Sequence, residues 1–147
     1  MSAWDRSLVG REFERERPVA VTAAMIAEFC AAIGETNPLY INPEAAAKGP
    51  HGGLIAPPSF AATFRDSDDI SEQIARHGVR RLAAGMDVDF IAPIRAGDSI
   101  SISSRIAESY EKTGRTGAMT FYVIRSTLKN QRGEIVAHID HRFMHRE

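Results

Sequence analysis

A chain of 147 residues that is 44% hydrophobic and 25% charged has the length of about one domain and an ordinary globular composition, which excludes intrinsic disorder and a tandem multidomain enzyme. Eighteen lysines and arginines against nineteen aspartates and glutamates leave a formal net charge of -1, so no overall cationic field exists to gather nucleic acid. The single cysteine, Cys30, excludes an internal disulfide and fits a reducing, cytoplasmic compartment; Met1 to Arg17 is charged rather than signal-like, and no stretch approaches the roughly 20 apolar residues of a membrane helix.

Helical periodicity comes first along the chain. Ile26, Phe29, Cys30 and Ile33 recur at helical spacing between Thr22 and Gly34, with Thr22 as N-cap and Val21 placed to staple against Ile26. Glu35 to Ile41 reads as loop. A short helix follows, capped by Asn42, begun by Pro43 and stopped near Gly49 and Pro50. After Pro57 and Pro58, the apolar run Ser59 to Phe64 predicts a helix buried on most sides, broken at Asp66 to Asp69 and followed by a polar helix over Ser71 to Arg76 that His77 and Gly78 end.

From Leu82 the period becomes two. Met86, Val88 and Phe90 alternate with Asp87 and Asp89, and Ile100, Ile102 and Ile106 alternate with polar neighbours. Ala118 to Leu128 is rich in strand formers, and Glu134 to Met144 sets Ile135, Ala137, Ile139 and Phe143 on one face. Turn signals at Pro93 to Asp98, Thr113 to Gly117 and Asn130 to Gly133 predict an antiparallel meander, with a further strand around Pro18 to Val21. The fold class is α+β.

The chemically unusual segment is G-E-T-N-P-L-Y-I-N-P from Gly34, followed by G-G-L-I-A-P-P-S-F from Gly52 and later by A-P-I-R-A-G-D-S-I from Ala92. Together with Val9 to Phe13, this order of motifs resembles the MaoC-like branch of the hot dog fold, the (R)-specific enoyl-CoA hydratases and 3-hydroxyacyl dehydratases, over nearly the whole chain. The resemblance implies one hot dog domain over 1–147, a curved antiparallel sheet around a central helix with a helical overhang. It implies an acyl-CoA or acyl-ACP thioester as substrate, reversible hydration of a trans-2-enoyl group as the reaction, and no cofactor.

Catalytic members of that family carry an aspartate and a histidine in a G-D-x-N-P-x-H loop. Gly34, Asn37 and Pro38 match here, but Glu35 stands in the aspartate position and Tyr40 in the histidine position. A phenol with a reference pKa near 10 is a poor general base beside an imidazole near about 6.5. Where the family has a His-Gly pair whose glycine N–H helps hold the thioester oxygen, this chain has Ala56 and Pro57, and proline has no N–H to donate. The triple substitution resembles the non-catalytic subunits of heteromeric dehydratases and the N-terminal halves of double hot dog hydratases.

The expectation is therefore a subunit that shapes the substrate site with Asn37, Pro38, Ala56, Pro57, Pro58 and Ser59, paired with a second hot dog chain as a hetero- or homo-oligomer. The alternatives are a homomeric hydratase using Glu35, an acyl-CoA thioesterase using the same carboxylate, and a non-enzymatic thioester-binding module. His51, between glycine-rich turns, is the one histidine placed to substitute as base. His138 and His141 lie at an odd spacing on one strand, so no metal site is expected. Asp87 and Asp89 read as a solvated strand face, and Arg80 and Arg81 as solvated cations with a weak claim on coenzyme A phosphates.

Overall fold

The computed structural model describes residues 6–64 and 80–146. The expected helix over Ser71 to Arg76 and the break before it lie outside them. A 3-10 turn, Arg6–Leu8, leads to β1 (Glu12–Glu14) and β2 (Val19–Ala20), then α1 (Ala23–Ile33), α2 (Pro38–Ile41) and α3 (Pro43–Ala47). A 3-10 segment, Pro58–Thr63, precedes the long strands β3 (Arg80–Phe90), β4 (Ser99–Gly114), β5 (Gly117–Lys129) and β6 (Ile135–Arg146).

All described pairings between strands are antiparallel, in the order β1-β4-β5-β6-β3, with β2 pairing β4 beside β1. The predicted meander holds for β4, β5 and β6 but fails at β3, which pairs β6 instead of β4. The reason lies in the crossing that follows β3. Pro93 cannot donate to a ladder, so the chain leaves the sheet edge there. It crosses the end of the sheet held by Ala56 N–H on Ile94 O at 2.8 Å, Ala96 N–H on Leu54 O at 3.1 Å and Gly97 N–H on Val21 O at 2.8 Å. Gly97 takes φ 92°, a left-handed conformation that suits glycine, and Asp98 closes the turn by accepting the Arg95 N–H at 2.9 Å.

α1 forms as its caps dictate. Thr22 accepts the Met25 N–H at 3.1 Å, and Gly34 ends the helix at φ 71°. Thr22→Ala is expected to lower the unfolding free energy by about 1 kcal/mol, read by urea denaturation. Ile26 and Cys30 are buried with Val21 against Ile100, Ile102, Leu128, Val136, Ala137 and Ile139, and each fully buried aliphatic side chain contributes roughly 1.5–3 kcal/mol. Ile33, expected in the core, is 49% exposed. The left-handed cap turns the chain back beneath Cys30, whose Sγ approaches Tyr40 O at 3.9 Å, so the return covers Cys30 and leaves the last helical turn open.

Other expectations shift. Glu35 to Ile41 is not all loop, because Asn37 caps a one-turn helix that Pro38 begins, its Oδ1 accepting the Leu39 N–H at 3.0 Å. Ser59 to Phe64 winds as 3-10 rather than α, with the Phe60 N–H on Pro57 O at 2.9 Å and the Phe64 N–H on Ala61 O at 3.3 Å. It still buries Phe60, Ala61 and Phe64, with Phe60 edge-on to Phe29 at 5.5 Å. A register shift between Leu128 and Lys129 places Ile135 on the polar face with Thr127 and His138, while Val136 and Ala137 are buried in the core cluster. Among the described residues no helix is long and apolar enough to cross a membrane.

Candidate functional site

The Gly34 to Tyr40 return, the turn before Pro58 and the crossing after β3 meet around an apolar cavity of about 290 Å³. One wall is Tyr40 and His51, the floor is Ile55, Ala56, Pro57, Pro58 and Ala61, and the far wall is the run Phe90 to Ile94 with Val136. This lies at the lower end of ligand-sized sites. Of the residues expected to form the site, Tyr40, His51, Ala56, Pro57 and Pro58 converge here. Glu35, Asn37, Pro38 and Ser59 are not among its lining.

Glu35 is occupied elsewhere. One carboxylate oxygen accepts the backbone N–H groups of Thr36 and Asn37, each at 3.0 Å, so the side chain caps its own loop. Burial, with a smaller contribution from the Glu35 charge, pushes the Cys30 thiol above its ordinary pKa, which keeps it protonated and unreactive. Backbone donors are scarce at the cavity floor: the Ala56 N–H is spent on Ile94 O at 2.8 Å, and Pro57 and Pro58 have none. Ala56 to Pro58 therefore offers no open backbone N–H to a thioester oxygen.

His51 is fixed through its main chain, with its carbonyl accepting from the Arg95 guanidinium. Arg95 and the Phe90 to Ile94 wall escaped sequence reasoning. A-P-I-R-A-G-D was recognised as a turn, and only the crossing of the sheet end shows that the same turn forms the wall.

The opposite face of the sheet carries Asp87, Asp89, Arg105, Arg125, Thr127, His138 and Asp140. Arg125 grips Asp140 with two hydrogen bonds of 2.7 Å, and Arg142 pairs with Asp87, so the carboxylates behave as a solvated, ion-paired face. His138 bonds Thr127 on this face at 3.2 Å, whereas His141 stands on the other, 5.8 Å from the Phe143 ring. Among the described residues no group of three or more metal-ligating side chains is assembled. The Arg125 bonds hold the Asp140 carboxyl below the usual carboxylate range. A depressed pKa adds stability that is present above the unfolded carboxylate range and is lost as pH falls through the folded value. Asp140→Asn is therefore expected to cost about 1 kcal/mol at pH 7 and nothing once Asp140 is protonated in the folded and the unfolded state alike, a convergence that urea titrations along an acid series would show.

Arg81 lies with its guanidinium 3.8 Å over the Phe143 ring, nine residues and about 30 Å along β3 from Phe90. It is too far away to serve the cavity of its own chain.

Residues 7–139 match the family described as FAS1-like, dehydratase domain region. A UPF0336 protein of Streptomyces coelicolor is 35% identical over 108 residues, 71% of this chain and 72% of that protein. A Thermomonospora curvata protein described as a probable enoyl-CoA hydratase alpha subunit is 28% identical, covering 93% of this chain and 48% of its own length. The truncated HadBC complex of Mycobacterium tuberculosis, a 3R-hydroxyacyl-ACP dehydratase, superimposes with a TM-score of 0.78 at 23% identity, over 93% of this chain and 96% of that one. These likenesses identify the curved antiparallel sheet as a hot dog fold.

Proposed function

The chain belongs to the FAS1-like dehydratase region family, and from that premise we propose that it is the substrate-shaping subunit of a two-chain hydro-lyase acting on acyl-CoA or acyl-ACP thioesters. The partner, a hot dog chain with an intact aspartate and histidine, supplies the proton transfers of reversible 2-enoyl hydration. One observation carries this reading: the cavity is apolar, the Glu35 carboxylate is bound to its own backbone outside the cavity lining, and the floor presents proline instead of N–H donors. A cavity so equipped holds an acyl chain but has no carboxylate poised to activate water, which speaks equally against a Glu35-dependent hydratase and a Glu35-dependent thioesterase.

The cavity is also half a site in another sense. Phe90 and Ile91 form its outer wall while remaining more than half exposed, at the end of an edge strand. A second hot dog edge laid along β3 covers them and brings foreign side chains to the cavity mouth. Two neighbours support the pairing by what they are: HadBC is a complex of hot dog chains, and the Thermomonospora relative is described as an alpha subunit. The buried cysteine fits cytoplasmic work, and the whole of 1–147 acts as one hot dog unit.

Copurification of the tagged chain with a second hot dog protein, followed by assay of 2-enoyl hydration, tests the reading directly. Recovery of an Asp/His-bearing partner with activity in the mixture supports it. A partner whose addition leaves the thioester bound but unconverted leaves only the binding-module alternative. One specific feature favours a second reading, a homomeric enzyme, because His51 lines the same cavity as Tyr40. Hydration by the lone chain that His51→Ala abolishes would establish it.

A further inference from the structure

A polar recess of about 380 Å³ adjoins the apolar cavity, sharing Ala92 and Pro93 with it and adding Arg95, Asn130, Arg132 and Glu134. The hydration reading gives its two guanidiniums no task. Both are held by stiff turns. Buried Asn130 organises the β5–β6 connection, its Oδ1 accepting the N–H groups of Arg132 at 3.0 Å and Glu134 at 3.1 Å. Arg132 Nε donates to Glu134 at 2.6 Å, and its Nη1 lies 4.0 Å from an oxygen of Asp98, whose other oxygen accepts the Arg95 N–H. Arg95 Nη1 in turn donates to the carbonyl of His51, on the rim of the first cavity. An apolar chamber thus opens beside two guanidiniums and the carboxylates of Glu134 and Asp98, and each guanidinium carries five N–H donors, more than these bonds use.

We propose that Arg132, with Arg95 beside it, anchors a phosphate of the arm that carries the acyl thioester, while the acyl group occupies the adjoining cavity. This rests on the thioester reading above. Planar guanidiniums suit phosphate oxygens, which they meet with paired charge-assisted hydrogen bonds. Arg132 is half-exposed and loses little solvation in the exchange, and its removal leaves the Arg95 clamp on His51 untouched.

Three thioesters separate the possibilities by calorimetry on the intact chain: crotonyl-pantetheine, which has no phosphate, crotonyl-4′-phosphopantetheine, and crotonyl-CoA. Arg132→Glu, with Arg132→Gln as a milder second variant, is expected to weaken the phosphorylated ligands by about 10-fold or more and leave crotonyl-pantetheine within about twofold. Equal weakening of both phosphorylated ligands assigns the site to the 4′-phosphate that coenzyme A and carrier proteins share; weakening of crotonyl-CoA alone assigns it to the nucleotide phosphates. Unchanged affinity for all three in both variants overturns the phosphate site while sparing the thioester reading. Failure of the wild-type protein to bind any of them, both alone and in the complex with its copurified partner, overturns the thioester reading, and the site with it.

Discussion

Mixed with a hot dog chain that carries the missing aspartate and histidine, the protein is expected to support crotonyl-CoA hydration at a rate at least about 10⁴-fold above that of the chain alone. The figure follows from what is absent. A positioned general acid and base contribute about 10² to 10⁴, and loss of one oxyanion-hole donor costs about 10² to 10³. The losses do not multiply freely, because groups that act as a unit are non-additive, so the lower part of the combined range is the sound expectation. Glu35→Ala is expected to leave the rate of the mixture within about twofold, since this carboxylate bonds the Thr36 and Asn37 N–H groups and is absent from the cavity lining. A stopped-flow or absorbance assay of the single chain decides the matter. Rapid turnover that disappears with Glu35→Ala would refute the division of labour, because it would require the side chain to leave its cap and enter the cavity.

The elements legible in the sequence were those fixed by local physics. α1 follows from its Thr22 and Gly34 caps, α3 from Asn42 and Pro43, β4 from alternation and β5 from its density of strand formers, since each is decided by residues within a turn or a pleat of one another. What escaped depended on distant partners. The pairing of β3 with β6 is a choice between edges that alternation does not encode, and the register shift that moves Ile135 off the core face is invisible in a pattern where both parities hold apolar residues. The candidate site divides the same way. Tyr40, His51, Ala56 and Pro57 were identifiable because they sit in motifs, whereas Phe90, Val136 and Arg95 join them only through the crossing after Pro93. Glu35 illustrates the remaining gap: its position in the loop was readable, but the direction of its carboxylate is set by the two nearby N–H groups it caps.

Met86→Asp combined with Phe90→Asp is expected to dissociate the proposed complex with a second hot dog chain while leaving the isolated chain folded. β3 pairs β6 along one side and has no partner strand along the other among the described residues, so it presents a row of open backbone donors and acceptors. Its side chains match an interface rather than a finished surface. Leu82 is 47% exposed, Met86 43%, Phe90 54% and the following Ile91 55%, a concentration of large apolar groups that a solitary edge strand does not need. Fully burying a methionine or phenylalanine contributes roughly 1.5–3 kcal/mol, so losing both and adding two charges at the seam raises the dissociation constant by about 10² to 10⁴. The cost to the folded monomer is small because neither side chain is in its core, and an unchanged circular dichroism spectrum with an unchanged urea midpoint checks this. Sedimentation velocity reads the assembly. If the double variant sediments with its partner as tightly as the wild type, β3 is not the joining edge. The exposed wall of the cavity at Phe90 and Ile91 would then have to be completed by a surface other than a neighbouring sheet.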